Sequence, residues 1–393
     1  MSQFGKSAEF DDIILVPKRR TLQGPFFIFF QLRDMKKIKS FLVPFPISLL
    51  FFVNSIQGQQ YISENIYYLN NSPDSYESFL KNADQISIVC PAAYSIDSVG
   101  VISGNVDRRV LETAQQRGVK VMPLFASFDQ KGIHDFLNNA TARKEVIRLM
   151  LFFANLFHYY GWQMYLENIF FADKDVYTSF FKQSADSLHQ HGLIISMAIV
   201  KSNQPAPETG NSPYQLYLYE NWTGAFDIPS IAAASDFIPF MTYDQHIAYT
   251  PPGPVAGIHW FKGMLQSLLD LKIPLNKISL WIPVYSDYWF PSWNQSQGGY
   301  STRDEISYAR AKDLMDQYMV KPEWMPDQQV NYTRWEEAGV FNWLFLEDAK
   351  SFGPKFMLAK EQHLRGISVW VLGAEDPEVW NVLKKEARAK RIE

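Results

Sequence analysis

The run Gly161-Trp162-Gln163-Met164-Tyr165-Leu166-Glu167-Asn168 holds the first side chains with chemical potential. In an extended conformation Gln163, Tyr165 and Glu167 point the same way, with Glu167 last. An inward carboxyl is costly unless it is used or paired, and a Glu so placed can donate or take a proton. A second run, Phe240-Met241-Thr242-Tyr243-Asp244-Gln245-His246, sets a phenol beside a carboxyl, and a third, Gly366-Ile367-Ser368-Val369-Trp370, ends in an indole. Carboxyl and phenol groups can address a glycosidic oxygen and an acetamido group, and an indole offers a flat face to a sugar ring. Each also has a structural alternative: a carboxylate held in an ion pair, a Tyr-Asp pair that only ends a strand, and a Trp packed in a core. His246 reads as a loop residue behind the site.

For these groups to meet, the runs that carry them must be parallel strands ending on one side. Eight short, mostly apolar runs recur along the chain at 62–69, 85–89, 120–125, 163–170, 193–200, 236–242, 277–284 and 366–372, as strands buried on both faces should. Amphipathic stretches at 75–82, 107–117, 141–160, 176–191, 258–271, 348–362 and 377–391 alternate with them. Eight such units predict an α/β fold, a (β/α)8 TIM barrel, with its active site at the C-terminal ends of the strands. A doubly wound open sheet is the alternative, but Asn70-Asn71-Ser72-Pro73 after the first strand is no Gly-rich phosphate turn. Residues 287–341 form an insertion between strands seven and eight. Two β-like runs within and beside it, 330–335 and 340–346, predict a small hairpin.

The start of the chain reads differently. Met35-Lys36-Lys37-Ile38-Lys39 precedes an apolar stretch, 41–53, and then Asn54-Ser55-Ile56-Gln57-Gly58. A basic start, a short apolar middle and small residues after it are the pattern of a secretory signal. Met35 therefore reads as the true start, residues 1–58 as an extension plus signal peptide, and 59–393 as the barrel. Retention of the apolar segment as a membrane anchor is the alternative. Residues 1–58 hold eight Lys/Arg and four Asp/Glu, so the rest of the chain has 29 basic and 37 acidic residues and a formal charge of −8. No basic excess exists to grip a phosphate backbone, so nucleic acid is not an expected partner. One cysteine, Cys90, and scattered histidines exclude an intrachain disulfide and a multi-Cys zinc site; no metal or cofactor is expected. A secreted or periplasmic monomer is the expectation.

On these motifs the chain resembles glycoside hydrolase family 18, the chitinase and endo-N-acetylglucosaminidase family of (β/α)8 barrels. The resemblance runs from about Ile62 to Lys385 and rests on the strand-four run, on Met241-Thr242-Tyr243-Asp244, on Tyr285-Ser286-Asp287-Tyr288-Trp289 and on Ile367-Ser368-Val369-Trp370. The stretches Tyr243-Asp244-Gln245-His246, Pro251-Pro252-Gly253-Pro254-Val255-Ala256-Gly257 and Leu372-Gly373-Ala374-Glu375-Asp376-Pro377 are similar to a bacterial subgroup. The resemblance implies that Glu167 is the general acid/base, that the substrate's own 2-acetamido group attacks the anomeric carbon, and that the glycan contains N-acetylhexosamine. By the same resemblance Tyr243 bonds the acetamido oxygen, Asp244 holds the reacting sugar, and Trp370 floors its subsite. Gln163, Tyr285 and Trp289 join it as substrate-binding candidates.

The chain departs from the family at strand four. The family has acidic residues seven, four and two positions before the Glu; here those positions are Tyr160, Gln163 and Tyr165. A phenol cannot balance a developing oxazolinium charge as a carboxylate does, and losing such a preorganised charge commonly costs about 2.7–4 kcal/mol in the transition state. Three readings follow: an exported glycosidase of a chitin-like or cell-wall polymer, a lectin-like barrel whose catalysis has lapsed through Tyr165, and a surface protein reusing the scaffold. A nucleophilic role for Tyr165 lacks a base beside it in the sequence.

Overall fold

The computed structural model describes residues 64–200, 213–247, 250–291 and 301–389. The expected signal and the start at Met35 lie outside them. Eight parallel strands overlap the eight predicted runs: β1 Glu64–Leu69, β2 Ile88–Ile96, β3 Leu124–Ser127, β4 Gly161–Leu166, β5 Ile194–Met197, β6 Ile238–Met241, β7 Ile278–Pro283 and β8 Gly366–Trp370, with β2 and β3 sharing only two residues each with the predicted 85–89 and 120–125. Their hydrogen-bonded order is β5-β4-β3-β2-β1-β8-β7-β6. The ring is closed between β5 and β6 by single parallel bridges, Ser196 to Phe237 and Ile199 to Phe240. Gly161 is required where β4 meets β5, because a Cβ there would lie 2.1 Å from the Ile194 carbonyl oxygen.

Alternation along each strand sorts side chains into two layers. Tyr67 and Leu69 of β1, and Trp162, Met164 and Leu166 of β4, face the surrounding helices in the main core. Ile66, Tyr68, Cys90, Met122, Leu124, Ala198, Phe237, Met241 and Trp281 fill the barrel interior, with Tyr165, Tyr243 and Trp370 packed against them. Local signals set the helix ends. Ser72 caps the helix Pro73–Asn82, and Asn139 caps Ala140–Phe157 by accepting from two backbone N–H groups. The second of these stops short of the predicted Tyr160 because His158 takes a left-handed cap conformation.

The insertion holds the predicted hairpin, Val330–Glu337 with Val340–Leu346, inside a larger five-stranded antiparallel sheet. Its order is Ser301–Ile306, Ser286–Pro291, Val340–Leu346, Val330–Glu337, Glu323–Met325. A helix, Tyr308–Gln317, packs on one face through Ala311, Leu314 and Met315 against Trp335 and Leu344. Below the sheet, Lys355 and Glu347 form a fully buried ion pair, which Ser351 joins by donating to Glu347 at 2.9 Å. Burial pushes the Glu347 carboxyl up and the Lys355 amine down, each against the pull of its partner. Among the described residues, no helix is long and apolar enough to cross a membrane.

Candidate active site

Glu167 follows the last residue of β4, and its backbone N–H donates to the Ser127 carbonyl at the end of β3, 3.1 Å away. The Tyr165 hydroxyl is placed to donate to the carboxyl, which favours the ionised form. Burial pushes Glu167 up to about 7; the Tyr165 bond opposes this and the charge of Asp244 adds to it. A carboxylic acid with this pKa is still about half protonated at neutral pH, as a general acid requires.

Phenols surround it. The Tyr165 ring lies edge-on to Phe128, with centroids 5.5 Å apart, and tilted against Trp281 at 6.1 Å. Tyr243 stands edge-on to Trp281 at 5.9 Å and to Tyr285 at 6.3 Å. Burial pushes Tyr165, Tyr243 and Tyr285 up, and neighbouring carboxylates add to the shift. All three are therefore hydrogen-bond donors at neutral pH, and the same shift disfavours Tyr165 as a nucleophile.

Gln163 is fully buried in the floor beneath Tyr165. Its Oε1 accepts from the Tyr68 hydroxyl at 2.8 Å and from Ser196 at 3.2 Å, while its Nε2 has no partner among the described residues. Trp281 stacks on Tyr68 with centroids 4.1 Å apart. Trp370, at the end of β8, keeps part of its surface exposed and leans on Trp281 at 6.0 Å and Tyr68 at 5.8 Å. Glu167, Tyr165, Tyr243, Asp244, Gln163 and Trp370 thus converge on one end of the barrel. Trp289 goes elsewhere: it is fully buried in the insertion with Val330 and Phe345, and its Nε1 donates to the Gly253 carbonyl at 3.1 Å, leaving no free ring face. Trp162 is likewise buried, donating to the Met150 carbonyl between sheet and helix. His246 bonds the Pro251 carbonyl at 3.0 Å, and burial lowers its pKa, so it braces the loop after β6.

Two residues of this end were not singled out from the sequence. Arg303, on the strand Ser301–Ile306, donates to Asp244 at 3.0 Å and to Asp287 at 2.8 Å, and Glu305 shares the same guanidinium at 3.1 Å. The charge alternation of Arg303 and Glu305 in an otherwise strand-like run was the available signal.

The family model for glycosyl hydrolases family 18 matches residues 61–375. The uncharacterized glycosylase YvbX of Bacillus subtilis (strain 168) is 23% identical over 360 residues, covering 89% of this chain and 99% of that protein. The cortical fragment-lytic enzyme of the same organism is 25% identical over 287 residues, 70% of this chain and 63% of its own length. Among solved structures, the spore cortex-lytic enzyme SleL of Bacillus megaterium QM B1551 superposes with a TM-score of 0.71 at 22% identity, covering 82% of this chain and 73% of that one. A chitinase of Chromobacterium violaceum ATCC 12472 gives 0.71 at 20% identity, with 83% and 99% covered. These structural likenesses are likenesses of fold; the family match spans the barrel from β1 to β8 and every residue of the convergent site. The chain belongs to the glycosyl hydrolases of family 18.

Proposed function

We propose that the protein hydrolyses glycans containing N-acetylhexosamine outside the cytoplasm, with Glu167 as general acid/base. The observation that carries this reading is the convergence of Glu167, Tyr243, Asp244 and Trp370 on one end of the barrel; burial, by pushing Glu167 up to about 7, equips it to give a proton to a leaving glycosidic oxygen. As the C1–O bond breaks, the substrate's acetamido oxygen bonds to C1 and an oxazolinium forms. Water then adds to C1 as the C1–O bond to the acetamido group breaks and that group is restored, and the water gives its proton to the Glu167 carboxylate, so the anomeric configuration is retained. Such substrate-assisted hydrolysis needs no second protein carboxylate as nucleophile. Tyr243, a donor at neutral pH, serves the acetamido oxygen, and Trp370 takes the apolar face of the sugar. The relatives named as cortical fragment-lytic enzymes favour a cell-wall glycan over chitin.

The second reading, a lectin-like barrel, is favoured by Tyr165 at the position of the family's assisting carboxylate. Turnover and binding separate the two. The full chain is given chitotetraose and, separately, glycan strands from purified peptidoglycan; release of reducing ends is followed together with calorimetric binding. Hydrolysis by the parent and none by Glu167→Gln supports the enzyme. Equal background rates with intact binding in both establish the lectin.

A further inference from the structure

Arg303 is shared by three carboxylates from two parts of the fold. Its side chain is 9% exposed. Nε donates to Oδ1 of Asp287 at 2.8 Å, and Nη2 donates to Oδ1 of Asp244 at 3.0 Å and to Oε1 of Glu305 at 3.1 Å. Asp287 is fully buried, and its second oxygen has no partner among the described residues, so the guanidinium is what offsets its charge. Burial pushes that carboxyl up against the pull of Arg303. Asp287 and Glu305 are cross-strand neighbours in the insertion, whereas Asp244 belongs to the loop after β6. There Asp244 has φ of 58°, in the left-handed region that few residues other than Gly, Asn and Asp adopt. The insertion thus reaches across to grip a residue of the barrel mouth in an uncommon conformation.

We propose that Arg303, anchored by Asp287, is a positioning residue that holds Asp244 at the mouth and screens its charge from Glu167. This rests on Glu167 being the acid. The groups that face Glu167 are Tyr165 from β4, Tyr177 from the helix Lys174–His189, and Tyr243 and Asp244 after β6. Burial keeps the phenols neutral, which leaves Asp244, among the described residues, as the charge that acts on Glu167. With the guanidinium gone, Asp244 is both unscreened and unheld. Glu167 then keeps its proton to higher pH, and the geometry around the reacting sugar loosens.

The test uses the full chain and a fluorogenic N-acetylglucosamine disaccharide. Arg303→Met is expected to lower kcat by up to about a hundredfold and to move the alkaline limb of the rate profile up by about half a unit. Arg303→Lys, which keeps the charge without the fork, is expected to leave that limb in place with an intermediate kcat. If Arg303 acts through Asp244, adding Arg303→Met to Asp244→Asn costs little beyond Asp244→Asn alone. Losses that multiply, or an unmoved alkaline limb in Arg303→Met, overturn the proposal. Should Arg303→Met fail to fold by circular dichroism, Asp287→Asn is put through the same cycle with Asp244→Asn, and multiplying losses again overturn it. Inactivity of the parent, or parent-like turnover by Glu167→Gln, means that the acid assignment has failed and the positioning role with it. An inactive Glu167→Gln beside multiplying Arg303 losses means that only the positioning role has failed.

Discussion

Replacing Tyr165 by Phe removes one oxygen and leaves the ring against Phe128 and Trp281. What is lost is the hydrogen bond to Glu167, which favours the ionised carboxylate and so opposes the effect of burial. Without it the protonated form gains, and the pKa of Glu167 rises above its present value of about 7. A hydrogen bond to a charged group is worth about 1.5–3 kcal/mol, and one pKa unit is about 1.4 kcal/mol. Because water at the partly open mouth replaces some of that bond, the expected shift is about one unit. A general acid works only while protonated, so activity falls as pH rises through its pKa. The alkaline limb of kcat/KM in Tyr165→Phe is therefore expected near pH 8, against about 7 in the parent. The assay is kcat/KM on the fluorogenic disaccharide across this range, with kcat on the acid plateau changing by less than about tenfold. An unmoved limb, or one displaced downward, refutes the assigned hydrogen bond or the assigned acid. Loss of activity at every pH refutes the tuning role, because the phenol would then be needed in the chemistry itself.

The same shift makes a stability prediction. Glu167 has a folded pKa of about 7 against an ordinary 4.5, so its contribution is fully present below pH 4.5 and is lost as pH rises through 7. Glu167→Gln is accordingly expected to gain at most about 3 kcal/mol over the parent at pH 8, and about 2 because water reaches the half-buried carboxyl, with nothing gained at pH 4, measured by urea unfolding. Tyr165→Asp is expected to raise kcat on N-acetylglucosamine oligomers by about tenfold, part of what one preorganised charge can supply; no gain by reducing-end assay counts against the lost-carboxylate argument. Lys355→Met leaves Glu347 buried and unpaired and is expected to cost about 3–5 kcal/mol in urea unfolding, most of it recovered when Glu347→Leu is added. An additive double mutant would show that the two groups are not a coupled pair.

The barrel was legible because its strands are buried on both faces and read as apolar runs. The inward set Gln163, Tyr165 and Glu167 followed from alternation alone, and the structure places their neighbours Trp162, Met164 and Leu166 in the outer layer. Trp289 shows where such reading stops. An aromatic residue just past a strand end suits a cleft or a core equally well, and what decides is the sheet of the insertion, whose inner face it fills. Arg303 was hidden for a related reason. Its contact with Asp244 spans 59 residues and depends on two insertion strands, Ser286–Pro291 and Ser301–Ile306, pairing in one register. The helix end at Phe157 is a smaller case, in which a left-handed cap at His158 cuts an apolar period that continues to Tyr160.

The neutral strand-four column and the charged insertion belong to one electrostatic arrangement. Beneath Glu167 the interior offers Tyr165, Gln163, Tyr68, Ser196 and Cys90, with no charge among them. A single carboxylate at position 165 would have neutral Gln163, Tyr68, Ser196 and Cys90 beneath it to share its charge with, and two adjacent carboxyls at the mouth would push one another's pKa up. The three changes at Tyr160, Gln163 and Tyr165 are therefore mutually consistent: once the acids four and seven residues before Glu167 are gone, a phenol is the easier neighbour to bury. Negative charge has not left the site, however. It stands on the β6 side, at Asp244, in contact with an arginine that the insertion supplies and anchors. Under the proposed mechanism, a cationic intermediate over Trp370 would meet the pair of Asp244 and Arg303 from that direction, and the proposed chemistry of the barrel would then depend on the pairing of two strands outside it.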